Sequence, residues 1–212
     1  MITPEQAQQL HVDHDSAHGF DHVLRVWRLA MHIACEEGAD LAVVNDAALL
    51  HDVGRAQQAA SGGDHAAISA EAAALLLAEA PASHREAVCQ AIREHRFRSD
   101  QRPSTLASQV LFDADKLDAI GAIGVARAYA IAGAWHQHLW ADVSSEFAAR
   151  TPGAGVDDLD NDEHTPVHEF EFKLRRLADL VVTDTARRMA AERHAFMSAF
   201  FARLAREVAG EL

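Results

Sequence analysis

Apolar residues return at steps of three and four along most of this chain, and no stretch makes a convincing strand. A period near 3.6 belongs to a helix that buries one face, so it confines the chain to helix-on-helix packing. Val23, Val26, Trp27, Ala30, Ile33 and Ala34 form one such stripe, ending near Gly38. Asp40 is placed to cap a second helix that runs through Val43, Val44, Ala47 and Leu50 and stops near Gly54. A third helix is expected over about residues 64–80, where Pro81 breaks it. Ser83-His84-Arg85-Glu86 then reads as a capping box for a fourth, through Val88, Ile92 and His95. Helices are also expected over about 105–134, with Gly121 and Gly124 as points of bending or close packing, and over 167–182 and 185–208. The abundant alanine suits all of them. The expected architecture is all-α: a single-domain helical bundle of about six to eight helices. Its core lies over about 18–130, and C-terminal helices over 167–209 pack on it. The polar stretch 151–166, TPGAGVDDLDNDEHTP, is expected to be a mobile loop and a candidate lid.

With 212 residues the chain is long enough to bury a sizeable core, with one domain as the default. The net charge of -13 argues against a nucleic-acid polymer as partner, because a phosphate backbone is bound by many Lys and Arg contacts. A small phosphorylated substrate remains open, since a bound cation and a few local charges can hold one phosphate group. Cys35 and Cys89 each sit inside a helical apolar pattern and are expected to be buried thiols. No signal peptide or membrane-length apolar run is visible, so no membrane partner and a cytoplasmic location are expected.

Fourteen histidines make His-Asp neighbours cheap, so position must choose among them. His14-Asp15 lies in a polar segment, HVDHDSAHGFDH. His51-Asp52 ends the apolar run AALL, which would put an imidazole and a carboxylate at the inner end of a buried helix. Ionisable groups there need partners, and a metal ion is one. Asp115, in LFDADKLDAIGAIG, poses the same problem, and His22 lies on the helix that bears the first apolar stripe.

The order His22, His51-Asp52, Asp115 resembles the HD-domain superfamily of metal-dependent phosphohydrolases. The phrases HGFDHVLRVWRLA, AALLHDVGR, AIREH and DADKLDAIGAIGVAR carry the resemblance. Together with the tail EFKLRRLADLVVTDTARRMAAERHAFM they are most similar to a small bacterial branch of nucleoside triphosphate pyrophosphohydrolases. The resemblance implies an all-α fold in which these four residues bind a divalent cation. Imidazole and carboxylate ligands do not select among Mn, Mg, Fe, Co, Ni and Zn, with Mn favoured. The implied reaction is hydrolysis of a nucleoside triphosphate to a monophosphate and pyrophosphate by metal-activated water.

His65 and His95 stand where related branches bind a second metal, and contact with substrate phosphate is the alternative role. His18, four residues before His22, is a candidate general acid or phosphate contact, and Asp118 a candidate to orient a water or a ligand imidazole. Arg25, Arg55, Lys116, Arg127, Lys173 and Arg193 are candidate phosphate contacts, with ordinary surface ion pairs as their bland alternative. Trp135 and Trp140 form a stacking wall for a base or pack under a loop. A phosphodiesterase or nucleotidase, a di-iron oxygenase and a non-catalytic nucleotide-binding module are the competing functions. A homodimer is one admissible assembly.

Overall fold

A computed structural model of the chain describes residues 1–11, 19–96, 102–149 and 164–212. Among these residues the structure is all-helical. In chain order the helices are α1 (Pro4–Leu10), α2 (Phe20–Glu37), α3 (Leu41–Leu50), α4 (Arg55–Ser61), α5 (His65–Leu76) and α6 (Ala82–Glu94). There follow α7 (Leu106–Asp118), α8 (Gly121–Ala134), α9 (Ser145–Ala148), α10 (Pro166–Phe172), a 3-10 segment (Leu174–Asp179) and α11 (Asp184–Val208). Seven of the eleven α-helices have ten residues or more, within the expected count; the four short ones, α1, α4, α9 and α10, lift the total above it. A helix of seven residues or fewer spans two turns at most and leaves little periodic signal.

The chain divides into two compact units: residues 1–115 with 181–186, and residues 116–180 with 187–212. In the first unit α3 is the central element, packed against α1, α2, α5 and α6. Every residue from Val43 to Leu50 is buried, which is why this helix is apolar nearly all round rather than on one face. Its two buried polar residues are satisfied. Asp46 accepts from the Ile2 amide at 2.7 Å, from Asn45 Nδ2 at 2.9 Å and from His84 Nε2 at 2.8 Å. Asn45 Oδ1 accepts from Trp27 Nε1 at 2.9 Å. The predicted Asp40 cap is present, accepting from the Ala42 and Val43 amides, and α2 closes on Gly38 in the left-handed region.

In the second unit α10 packs on α8, α9 and the 3-10 segment, and Phe170 stacks on Phe201 of α11 at 4.3 Å between ring centroids. The break between α7 and α8 falls at Gly121, whose φ of +75° suits glycine. A Cβ on Gly124 would stand 2.3 Å from the Ala119 carbonyl oxygen, so this glycine serves close packing.

Several local expectations are corrected. Ser83 is not the start of α6; Pro81 is its N-cap and no side chain caps it. The helix expected over 167–182 stops at Phe172 and continues as a 3-10 turn. Cys89 is buried but Cys35 is exposed. The expected loop over 151–166 lies outside the described residues as far as residue 163. No single helix among the described residues is long and apolar enough to cross a membrane.

Candidate metal centre

The first unit gathers one side chain from each of several helix ends. His51 is the residue on which α3 closes, and its Nδ1 donates to the Ala48 carbonyl at 2.8 Å. A carbonyl can only accept, so the proton sits on Nδ1 and Nε2 carries a lone pair. His95 closes α6 in the same way, its Nδ1 donating to the Ile92 carbonyl at 2.6 Å. His65 opens α5 directly after Asp64, whose carboxylate caps that helix through the Ala66 amide. His22 lies in the first turn of α2, and Asp115 lies on the part of α7 that belongs to this unit.

These residues converge on Asp52. Asp52 Oδ2 lies 3.6 Å from both His22 Nε2 and His51 Nε2. Its other oxygen, Oδ1, lies 3.6 Å from His65 Nε2 and 3.9 Å from His95 Nε2. His22 Nε2 is also 3.6 Å from Asp115 Oδ1. The four imidazoles form an edge-to-face series, with centroids 5.4 Å apart for His22–His51, 5.2 Å for His51–His95 and 5.4 Å for His65–His95. All four histidines and Asp52 are buried, and Asp115 is partly exposed.

Two groups of ligand atoms result, His22-His51-Asp52 and Asp52-His65-His95, and within each the atoms lie within 4.8 Å of one another. Donors bound to one cation at ordinary bond lengths stand about 3–3.5 Å apart, close to the spacings here. His51 Nε2 and Asp52 Oδ1 are buried without a hydrogen-bond partner among the described residues. Leaving such atoms unpaired costs about 1–3 kcal/mol each, a cost that a cation between them would remove. The donor set therefore fits a divalent metal ion.

The electrostatics point the same way. Burial alone would push the Asp52 carboxyl up, but His51, Arg55, His22 and His95 hold it well below the usual carboxylate range. Burial, then Arg55, push His65 down to about 3, and burial likewise lowers His51. An ionised Asp52 beside neutral His51 and His65 rings is the protonation state that metal ligation requires. Arg55 also bonds Asp52 directly, Nε to Oδ2, at 2.5 Å.

The remaining candidates are described by their own partners or burial. Arg25 pairs with Asp21 on the exposed side of α2. In the second unit Lys116 is buried, Asp118 pairs with Arg127 at 3.0 Å, Lys173 with Glu169 at 2.8 Å, and Arg193 donates to the Leu117 carbonyl at 2.5 Å. His18 lies outside the described residues. Trp135 is 56 % exposed.

Three residues near the centre escaped the sequence reading. Arg96, next to His95, bonds Asp64 at 2.7 Å, and the only signal was its place after a candidate ligand. Ser69 accepts from the Gly54 amide at 2.9 Å and so fixes the turn that carries His51 and Asp52 onto α5. Asp113 accepts from the Val182 and Thr183 amides and from the Thr183 hydroxyl, all at 2.7–2.8 Å.

Comparison with known proteins agrees with this geometry. The family model for the HD domain matches residues 19–120. The chain is 33% identical to the Bacillus subtilis protein YpgQ over 207 residues, covering 96% of this chain and 90% of that one. The crystal structure of Bacillus subtilis YpgQ in complex with ADP superimposes with a TM-score of 0.72 at 31% identity, covering 97% of this chain and 98% of that one. A Lactobacillus plantarum protein gives 0.75 at 31% identity, over 99% and 100% of the two chains. A structure described as a predicted HD superfamily hydrolase, from an uncultured Thermotogales bacterium, gives 0.66 at 30% identity, over 96% and 90%. With His51-Asp52 at the meeting point of two histidine pairs, the chain belongs to the HD-domain family of hydrolases.

Proposed function

We propose that this HD-domain hydrolase acts on nucleotides, cleaving a nucleoside triphosphate to a monophosphate and pyrophosphate with Mn²⁺ as its ion. The observation that carries the proposal is the buried Asp52 carboxylate shared by two histidine pairs, with His51 Nε2 and Asp52 Oδ1 buried without a hydrogen-bond partner among the described residues. The ADP complex of the Bacillus subtilis relative supports a nucleotide as the ligand class.

His22, His51, Asp52 and Asp115 are the proposed ligands of the first ion. His65 and His95, with Asp52, are proposed to hold a second. A divalent cation at this place supplies positive charge against phosphate oxygens and lowers the pKa of nearby water. The protein's own groups do the rest. The Nδ1 bonds of His51 and His95 hold both rings in one tautomer and one orientation, so no reorganisation precedes binding. Arg55 keeps the Asp52 carboxylate ionised and adds a cation beside a strongly anionic substrate. Arg25, Lys116, Arg127, Lys173 and Arg193 are proposed as further phosphate contacts. His18 is proposed as a proton donor and Asp118 as a group that orients a water.

The test is an assay of the purified protein with Mn²⁺ against a panel of nucleotides, with products separated by chromatography. Pyrophosphate with a monophosphate marks the proposed reaction. Orthophosphate or an opened cyclic nucleotide would instead mark a nucleotidase or a phosphodiesterase. If neither phosphate nor pyrophosphate forms from any nucleotide or phosphoester, the hydrolytic reading is wrong. Metal analysis separates it from oxygen chemistry at a two-iron centre.

A further inference from the structure

α8 is apolar on both of its faces. Gly121, Gly124, Val125, Ala128 and Ala132 are buried. At about 100° per residue, Ala122, Ile123, Ala126, Ala130, Ile131 and Ala134 fall on the opposite half of the helix, and all six are exposed. Ile123 is 36% exposed and Ile131 38%. Arg127, the one charged residue of α8, pairs with Asp118 at 3.0 Å and is only 16% exposed. A helix that is apolar all round belongs inside a core, and the burial seen here accounts for one half of α8 alone.

The apolar surface continues beyond α8. Met189 and Phe196 of α11 line one groove with Ile120 and Ile123, and Glu192 and Arg193 border it. Tyr129 meets Phe200 of α11 with ring centroids 6.1 Å apart, and its hydroxyl donates to the Leu139 carbonyl at 3.4 Å. Phe196, Leu139 and Trp135, the residue on which α8 closes, are each more than half exposed. Single apolar side chains at a surface are ordinary, but a contiguous patch of them marks a contact.

The charge pattern selects the occupant. The chain carries a net charge of -13, and the outward half of α8 carries no charged residue. An anionic lipid surface or a nucleic acid is repelled by the whole chain and finds no lysine or arginine on that half. A second copy brings no like charges together there, which is what a self-complementary two-fold interface needs. The size fits as well. The 14 residues of α8 span about 21 Å, and with Phe196 and Leu139 alongside the patch covers about 400 Å². A standard dimer takes about 800 Å² from each copy, a little over half of it apolar. We propose that the outward half of α8, with Phe196 of α11, is the interface of a homodimer in which α8 packs on α8 about a two-fold axis. Ala122, Ala126 and Ala130 recur one turn apart and let the two helices approach closely. The proposal is independent of the nucleotide-hydrolase reading.

Sedimentation velocity of the full chain over a range of concentrations tests the interface without requiring turnover. The wild-type protein is expected to sediment as a dimer. Ala126→Glu and Ile131→Glu each place an unpaired carboxylate in the centre of the contact and are expected to raise the dimer dissociation constant about a hundredfold or more. Glutamate is a good helix former and both positions are exposed, so helical circular dichroism should be unchanged. Ile131→Glu, nearer the end of α8, keeps the test decisive if Ala126→Glu folds poorly. A wild-type protein that stays monomeric throughout would overturn the proposal. So would a dimer that persists undiminished in a folded variant, because the copies would then meet through another face. Flotation with neutral phosphatidylcholine vesicles covers the remaining occupant: wild-type protein that floats, with Ile131→Glu left behind, would make the patch a lipid contact and overturn the dimer.

Discussion

His51 and His95 meet edge to face with ring centroids 5.2 Å apart, and each donates its Nδ1 proton to the carbonyl three residues before it. The last turn of a helix has carbonyls without helical partners, so an imidazole placed there is oriented by the helix that ends on it. Two helix ends thus present two Nε2 lone pairs toward one carboxylate. At saturating Mn²⁺, about two ions per chain are expected by elemental analysis after desalting. His65→Ala should lower this to about one, and Asp52→Ala should abolish both. A wild-type plateau at one ion, unchanged by His65→Ala, would show that the second group of ligands does not hold a metal.

The turn between α3 and α4 leaves no room for a side chain at position 54. A Cβ there would lie 2.7 Å from the Ser69 amide nitrogen and 2.8 Å from Ile68 Cγ2. Gly54→Ala should cost about 1–3 kcal/mol, as overpacking does, and lower the melting temperature accordingly. Because the turn carries Asp52, metal affinity should fall as well. Ser69→Ala keeps the space but strips the Gly54 amide of its acceptor, with an expected cost of about 1–3 kcal/mol. A Gly54→Ala protein with unaltered melting and metal binding would refute this.

Asp113 and Asp115 stand two residues apart on α7, and the structure gives them opposite tasks. Asp113 is fully buried and ties down residues 182 and 183, whereas Asp115 is partly exposed beside His22. Asp113→Ala would strand two amides and a hydroxyl, at a cost of about 3 kcal/mol or more in urea unfolding. Asp115→Ala should change stability by about 1 kcal/mol or less while weakening metal binding. The reverse pattern would mean that the two roles have been exchanged.

Acid should loosen the second unit through Glu169. Burial would raise this carboxyl, but Lys173 and His164 hold it down at about 2, below its usual value of 4.5. A folded-state value below the unfolded one adds stability above pH 4.5, and this is lost as the pH falls towards 2. Glu169→Gln should therefore flatten the acid limb of a melting-temperature profile between those values. A profile that falls as steeply in the variant would exclude Glu169 as a source of the acid loss.

The periodic pattern revealed the long helices and the Asp40 cap, because both are local chemistry. It also singled out His51-Asp52, since an ionisable pair at the end of AALL has few ways to be satisfied. His65 and His95 were visible only as candidates, because nothing local tells a helix-end imidazole which way it faces. The contrast within DAD, between Asp113 and Asp115, was illegible for the same reason: it is decided by residues 182 and 183, about 70 positions away. Short helices such as α4, the turn to 3-10 geometry after Phe172, and the Arg96–Asp64 pair also depend on contacts that no local period records.

The placement of Asp52 makes the centre unequal under mutation. A lineage that loses His65 and His95 keeps His22, His51 and Asp52 intact, and one that loses His22 or His51 keeps the other trio. Loss of Asp52 dissolves both trios at once. Drift among descendants of such a site is therefore expected at the histidines, with one half decaying while the other persists, and the shared aspartate should be the last of the set to go.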